Sequence, residues 1–591
     1  MKKFLICFIL FPINLYAIDF SSVINQQNRV IQNQERIERE KILQQELRNI
    51  EFERKQAIAR AARKKSLQEG FEDDGKIIQN LSNIQCFRIK QINFSKNNIL
   101  SKREEKNLTA KYLGKCLILE QIEYFTKEIT NYLLQKDFVT SQAFLPKQDI
   151  SSGNLEIEIF EGQLEDLVLN EDGFFDKTQK FSAFGLINKG EALNLRDVAI
   201  GLDSMNRLSS NAANVKIFAG SKQNSSIIFI ENKSQNKLRL SFSVDDNGSE
   251  ITGKKRDVIG VSYDNLLHLN DNFNFSRAAN DFDKKSGERK GHFVGYNYSI
   301  PFKRHLLTLG YSKYSYSFFT GDIVKTRSSG ASTTRNAMLD SVLIKRDKYK
   351  ITTNLQLQNR NNANFTGDLK NQTSSRKATN GSVGISNILF FEDASLLLRP
   401  SYIKGLELLD AKKDDEDVKK NEVHGQFEAF KFYANYSHNL HIPLMQIPFN
   451  YNLNFDSQIA KQALYSNDQI FAGGAFSVRG FENGSISGDS GYVVRNDLKF
   501  NLGKIFNAKK LPSIIHNFSI TPFYDYGYVI SKANGSSGRL SGSGLKFDFI
   551  GKNLSASLTY AWVASKSQLL QQDYNENQAL YFNVASEFGF F

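Results

Sequence analysis

A chain of 591 residues is too long for one compact soluble domain, and length alone points to about three or four. With 23 Tyr, 47 Phe and 38 Gly against 8 Pro and one Trp, and a mean hydropathy of −0.40, it lacks the apolar runs of about 20 residues that a helical membrane protein needs. Its formal charge of +13 is spread along the chain, which points to solvated loops, polar walls and contact with anionic lipid and away from nucleic acid.

Residues 1–17 have the parts of a secretory signal peptide: Lys2 and Lys3, an apolar stretch from Phe4 to Ile13, and Leu15-Tyr16-Ala17 at the cleavage site. The apolar part is too short to anchor the chain in a bilayer. Cys7 leaves with this segment, so Cys86 and Cys116 remain as a pair in a compartment that permits disulfides. Joined, they close a loop of about 30 residues and stabilise a small domain by roughly 3–4 kcal/mol; apart, they are two buried thiols.

Residues 18–69 are almost pure helix formers, and Ile37, Leu43, Leu47 and Ile50 form a thin apolar stripe on an otherwise charged surface. Such a helix is either solvated or lies in polar surroundings. Residues 70–83, beginning GFEDDG, read as a linker. From 84 to 163 the signals run strand, helix, helix, strand, strand, with Ile122, Phe125, Ile129 and Leu133 on one helical face. Residues 164–236 repeat that small α+β unit, with a short helix near 175–188 and a second placing Val198, Leu202, Met205 and Leu208 on one face.

From 237 to 591 the apolar period becomes two. Leu238, Leu240, Phe242 and Val244 alternate with Arg239, Ser241, Ser243 and Asp245, and Phe449, Tyr451, Leu453 and Phe455 with three Asn. Apolar outside and polar inside is the pattern of an all-β transmembrane barrel, and the segments count to 16 antiparallel strands, an even number. Polar inserts near 320–334, 361–378 and 406–426 fall between strands. In the thirteenth strand Phe518, Ile520 and Pro522 face lipid, which turns Ser519, Thr521 and Asp525 to the lumen. The last strand puts Leu580, Phe582, Val584, Phe588 and Phe590 on one face, leaving the terminal Phe591 off it.

Between the eleventh and twelfth strands, the loop 459–490 contains FAGGAFSVRGFENGSISG, where one charge, Arg479, sits among small, apolar and glycine positions. Val478, Arg479, Gly480 and Phe481, with the flanking glycines, resemble the inward-folded loop of two-partner secretion transporters, outer-membrane barrels of the haemolysin-activator and adhesin-exporter type. Phe523-Tyr524-Asp525-Tyr526-Gly527 resembles the family's strand that supplies the loop arginine's partner. Cys86-Phe87, Cys116, Leu145-Pro146-Lys147-Gln148-Asp149 and Glu161-Gly162 resemble the first of its two polypeptide-transport-associated (POTRA) domains, with Lys147 a departure where a small residue or Pro is usual. Asn194-Leu195-Arg196-Asp197 and the run 202–208 resemble the second.

The resemblance implies an Arg479–Asp525 contact in the lumen; otherwise Asp525 is a hydrated lumen carboxylate. It also implies that helix 18–69 is a removable plug in the barrel, and that the client is a large secreted β-helical exoprotein of haemolysin or adhesin kind. Further implied partners are outer-membrane lipid and the barrel-assembly machinery. No cofactor is expected, and neither a nucleotide loop nor a nucleophile elbow points to catalysis. An assembly factor that inserts other barrels is the alternative reading, disfavoured by having only two such domains.

Overall fold

A computed structural model of the chain describes residues 20–590 except 70–85, 171–175, 281–288, 322–324, 373, 420, 443–446, 483, 504–514 and 571–574. The signal peptide, the whole of the linker 70–83 and Phe591 therefore lie outside the described residues.

Sixteen long antiparallel strands form a closed barrel, from the first, Leu238–Asp245, to the last, Gln578–Phe590. The ends pair with each other, Leu238 with Phe590 through Asp245 with Asn583, so no backbone edge is left to meet lipid. The period-two reading sets which face is which. In strand five, His305–Thr320, Leu307, Leu309 and Tyr311 are exposed on the outside, whereas Tyr314, Tyr316 and Phe318 are buried within. Two of the polar inserts are shorter than their composition implies. Strand six, Thr326–Lys345, and strand seven, Tyr349–Thr366, run for 20 and 18 residues and take in 326–334 and 361–366. A bilayer needs only about 9–11 residues per strand, so both continue beyond it as a paired ribbon whose inward residues, Ser328, Asn362, Asn364 and Thr366 among them, stay buried while the outward ones no longer need to be apolar.

Two small α+β units precede the barrel. In the first, the sheet orders as Gln91–Ser95, Asn154–Phe160, Gln142–Phe144, against helices Lys102–Thr109 and Leu119–Gln135. Ile122, Phe125, Ile129 and Leu133 are all fully buried in its core. The stretch CFRIKQINF, read as one strand, is broken in two. Phe87–Arg88 turns away to pair with Cys116–Leu117, beside a disulfide between Cys86 and Cys116. The second unit orders Gln163–Leu169, Ser225–Asn232, Ala213–Ala219, with helices Asp176–Phe184 and Leu195–Asn206.

The second unit is fixed to the barrel's inner turns by polar contacts. Arg207 donates to Ser299 Oγ and to the Asn270 carbonyl, each at 2.8 Å, and Lys303 N–H donates to the Ser182 carbonyl at 2.8 Å. Asp137 of the first unit joins three bodies: its carbonyl accepts from Leu195 N–H at 2.9 Å and its carboxylate from Arg346 of the barrel at 3.1 Å.

The helix Phe20–Glu69 has 50 residues, about 75 Å at 1.5 Å per residue, and runs inside the barrel. At its outer end Gln27 donates to Ser328 Oγ at 2.7 Å; toward the inner end Glu53 pairs with Lys350 at 2.8 Å and Arg60 with Asp347 at 3.8 Å. Its apolar stripe is used in patches: Val30 and Ile31 pack on Phe293, Tyr314 and Phe318, and Ile50 and Ala57 on Ile388, Phe390 and Leu397.

Glu104 closes a capping box with Ser101 at the start of helix Lys102–Thr109. Burial pushes its carboxyl up, but bonds from Lys136 (2.8 Å), Ser101 N–H (2.9 Å) and Tyr132 OH (2.8 Å) outweigh this and hold it at about 2. Because the folded value lies below the ordinary 4.5, this contribution is complete above pH 4.5 and is lost as pH falls toward 2. Hydrogen-exchange protection of helices Lys102–Thr109 and Leu119–Gln135 should fall across that window, and Glu104→Gln should flatten the dependence.

Candidate functional site

The residues between strand eleven, Ile447–Ala460, and strand twelve, Ser490–Asn501, fold back into the lumen instead of standing above the rim. A short hairpin, Ile470–Ala472 with Ile486–Gly488, stiffens the excursion. Its base is pinned by Asp489, fully buried, which accepts from the backbone N–H of Leu464 at 2.7 Å and of Lys532 at 2.6 Å. Val478 and Phe481, both fully buried, pack with Ile470, Val493, Val529 and Leu540, so the loop tip has a dry apolar seat on the wall.

Arg479 lies between them, 3% exposed. Its Nε donates to Asp525 Oδ2 at 2.6 Å and its Nη2 to Asp525 Oδ1 at 2.7 Å, a two-pronged pair. The Arg479 backbone N–H adds a third bond to Asp525 Oδ2 at 3.0 Å, Nη2 also reaches Asp497 Oδ1 at 2.7 Å, and the guanidinium lies 3.5 Å over the Phe523 ring. Asp525 has no exposed surface. One cation faces two carboxylates here, and drawing Arg479 away would leave Asp525 without its three hydrogen bonds at a site where it has no surface open to water.

Glycines on the wall make the room. A Cβ at Gly542 would overlap the Arg479 carbonyl oxygen, and one at Gly527 would come within 2.9 Å of Val478 Cγ2. Gly480 itself adopts φ +105°, a backbone state that L side chains rarely take, which turns the chain directly after Arg479.

The helix touches the same loop. Arg36 stacks over the Phe471 ring at 3.8 Å and donates to the Gly473 carbonyl. On strand seven Arg360 stands between Glu35 of the helix, at 3.0 Å, and Asp468 of the loop, at 3.4 Å. Helix, loop and wall thus share charged partners.

Of the residues singled out from sequence, the structure brings Val478, Arg479, Gly480, Phe481 and Asp525 together, and it places the Cys86–Cys116 disulfide apart from them in the first small domain. Sequence reading missed Asp497, Gly542 and the Glu35–Arg360–Asp468 bridge, and it named Phe523 only as part of the Asp525 motif, without its place under the guanidinium. The period-two rule applied to strand twelve puts Val493, Arg495 and Asp497 inward together, and applied to strand thirteen it puts Phe523 beside Asp525. The bridge leaves no such local signal.

A sixteen-stranded barrel with two POTRA units on its inner side and an arginine loop locked to its wall defines an outer-membrane transporter. The model for haemolysin secretion/activation proteins of the ShlB/FhaC/HecB type matches residues 224–549, more than half of the chain, and the chain belongs to that family. A ShlB-type POTRA model matches 87–162 and a further POTRA model 163–219. The chain is similar to the outer membrane transporter CdiB of Dickeya dadantii (strain 3937), 27% identical over 493 residues, 83% of this chain and 85% of the relative. It is also similar to the hemolysin transporter protein HpmB of Proteus mirabilis, 24% identical over 440 residues and 74% of each. In fold it matches CdiB from Escherichia coli with a TM-score of 0.78, at 24% identity, over 90% of this chain and 98% of that one. CdiB from Acinetobacter baumannii matches with a TM-score of 0.72, at 20% identity, over 91% and 99%. The chain is an outer-membrane transporter of two-partner secretion, with its POTRA domains in the periplasm.

Ser477, 4% exposed beside the arginine, gives a readout of loop docking. In a Ser477→Cys background, Asp525→Ala should raise the rate of maleimide labelling by about two orders of magnitude or more, since removing one member of a buried pair costs about 3–5 kcal/mol. Asp497→Ala should do less, its side chain being 21% exposed. Gly542→Ala should expose the loop as Asp525→Ala does, with the heat-modifiable gel mobility of the barrel unchanged.

Proposed function

We propose that this transporter is a passive exporter in which the helix Phe20–Glu69 and the Arg479 loop together close the lumen and must rearrange before a client passes. The observation that carries this reading is the chemistry of the helix's contacts. Gln27, Gln34 and Arg54 are buried against the wall and Gln32 against the inserted loop, and the flanking ion pairs are to lumen side chains. Polar contacts of this kind are replaced by water at little net cost when the helix leaves. A large apolar interface would not be. The arginine seat is the costlier contact to undo, and sets the order in which the parts yield.

The client is an unfolded, secreted exoprotein, large and β-helical, of haemolysin or adhesin kind; the relatives' names, among them a hemolysin transporter, support this class. The POTRA sheets support capture by strand addition, which uses backbone hydrogen bonds and so tolerates any client sequence. Ala213–Ala219 is a sheet edge carrying Phe218, 52% exposed. Folding of the client outside gives transport its direction. The apolar outer face of the last strand suits insertion by the barrel-assembly machinery into outer-membrane lipid.

Two measurements test the closure. In a Gln27→Cys, Ser328→Cys chain the bridged helix should halt secretion of the client exoprotein, and reductant should restore it; normal secretion by the bridged chain contradicts the reading. Deleting residues 20–69 should raise single-channel conductance in planar bilayers, and unchanged current would count against a plug.

A further inference from the structure

The joint between the second POTRA domain and the barrel encloses a feature that transport does not use. Helix Asp176–Phe184 lies against the outer wall at its periplasmic end, with the Phe181 ring 5.3 Å from Phe302, the last residue of strand four. Between helix and wall is a cavity of about 560 Å³ lined chiefly by Phe181, Leu269, Ile300, Phe302, Leu307 and Leu339, with Ser182 and His305 its polar members. Its accessible lining is almost wholly apolar, so water entering it finds few hydrogen-bond partners.

Three observations say what fills it. First, the floor is the membrane belt itself: Leu307 and Leu339 are cross-strand partners, continuous with the exposed Leu309 and Leu355 further along the outer face. Second, the roof is apolar although it belongs to a periplasmic domain. Phe181 is 58% exposed, and in the neighbouring turn Leu266 and Leu267 are 46% and 57% exposed. Third, the rim is basic. Lys303 holds its Nζ 5.5 Å from the Phe302 ring, and Lys177 lies one helical turn before Phe181, on the same face. The nearby Asp271 is fully buried, accepts from the N–H groups of Leu267 (3.0 Å) and Leu269 (3.2 Å), and has its charge balanced by the Arg207 guanidinium.

We propose that this cleft binds an anionic phospholipid of the periplasmic leaflet, with acyl chain against Leu307 and Leu339 beneath Phe181 and headgroup phosphate between Lys177 and Lys303. The lipid then bridges helix Asp176–Phe184 to the barrel and extends the apolar contact that the Phe181–Phe302 ring pair begins in a joint of mostly polar bonds.

The test uses the full chain, delipidated in detergent, with Trp562→Phe and Phe181→Trp so that the only indole reports on the cleft. Phosphatidylglycerol with brominated acyl chains should quench the fluorescence of that indole at several-fold lower concentration than brominated phosphatidylcholine. Lys177→Gln and Lys303→Gln should each weaken the phosphatidylglycerol response about fivefold, the worth of one basic residue near an anionic surface, and leave the phosphatidylcholine response unchanged. Native mass spectrometry of the chain with Phe181 and Trp562 intact gives a second reading, with one phosphatidylglycerol retained and fewer after Lys177→Gln. Folding of each variant is checked by heat-modifiable gel mobility. Equal quenching by the two lipids, or lysine variants that bind phosphatidylglycerol as the parent does, overturns the proposal, as does an indole that no brominated lipid reaches.

Discussion

A guanidinium set into a dry wall must be met by negative charge, and this constraint organises the upper half of the barrel. Arg479 meets it with three bonds to Asp525, a fourth to Asp497 and the face of Phe523. Unpaired, either charge would cost several kcal/mol in that pocket. The loop is therefore held at one place in the lumen, and everything near it has been fitted to that place: glycines where the loop backbone passes, Val478 and Phe481 to exclude water, and Asp489 to fix the return to strand twelve.

The helix Phe20–Glu69 is held by different chemistry. Its contacts are many and mostly polar, spread from Gln27 at the outer rim to Arg60 at the inner one. Its nearest counterpart to the arginine seat is Arg360, shared between Glu35 of the helix and Asp468 of the loop. Loop and helix meet through Arg36 and through Arg360, so movement of one changes the partners of the other. On the periplasmic side Lys350 and Asp347 link the helix to the turn that also carries Arg346, the partner of Asp137. A chain of ion pairs thus runs from the POTRA domains through the helix to the loop.

Much of this was legible because a barrel wall obeys a strict alternation. Parity alone turns Asp525 inward with Ser519 and Thr521, and separates lipid-facing Leu307 from lumen-facing Tyr314. Where the wall leaves the membrane the alternation continues, with Asn362, Asn364 and Thr366 buried inside, but the outward residues need not be apolar, so the polar ends of strands six and seven read as loop. The first POTRA strand was misread for another reason, since Phe87–Arg88 is drawn aside by pairing with Cys116–Leu117, a partner 30 residues away that local propensity does not register. Contacts between the helix and the wall join residues some 300 positions apart, as Gln27 and Ser328 do, and a polar helix surface does not announce which of its residues will find partners.

The most direct measurement is a double-mutant cycle across Arg479 and Asp525, read by maleimide protection of a cysteine at position 477. If the pair holds the loop, either alanine alone should release it and the second should add little, a coupling of several kcal/mol in the cycle. Additive effects, with each substitution loosening the loop independently, would contradict the account.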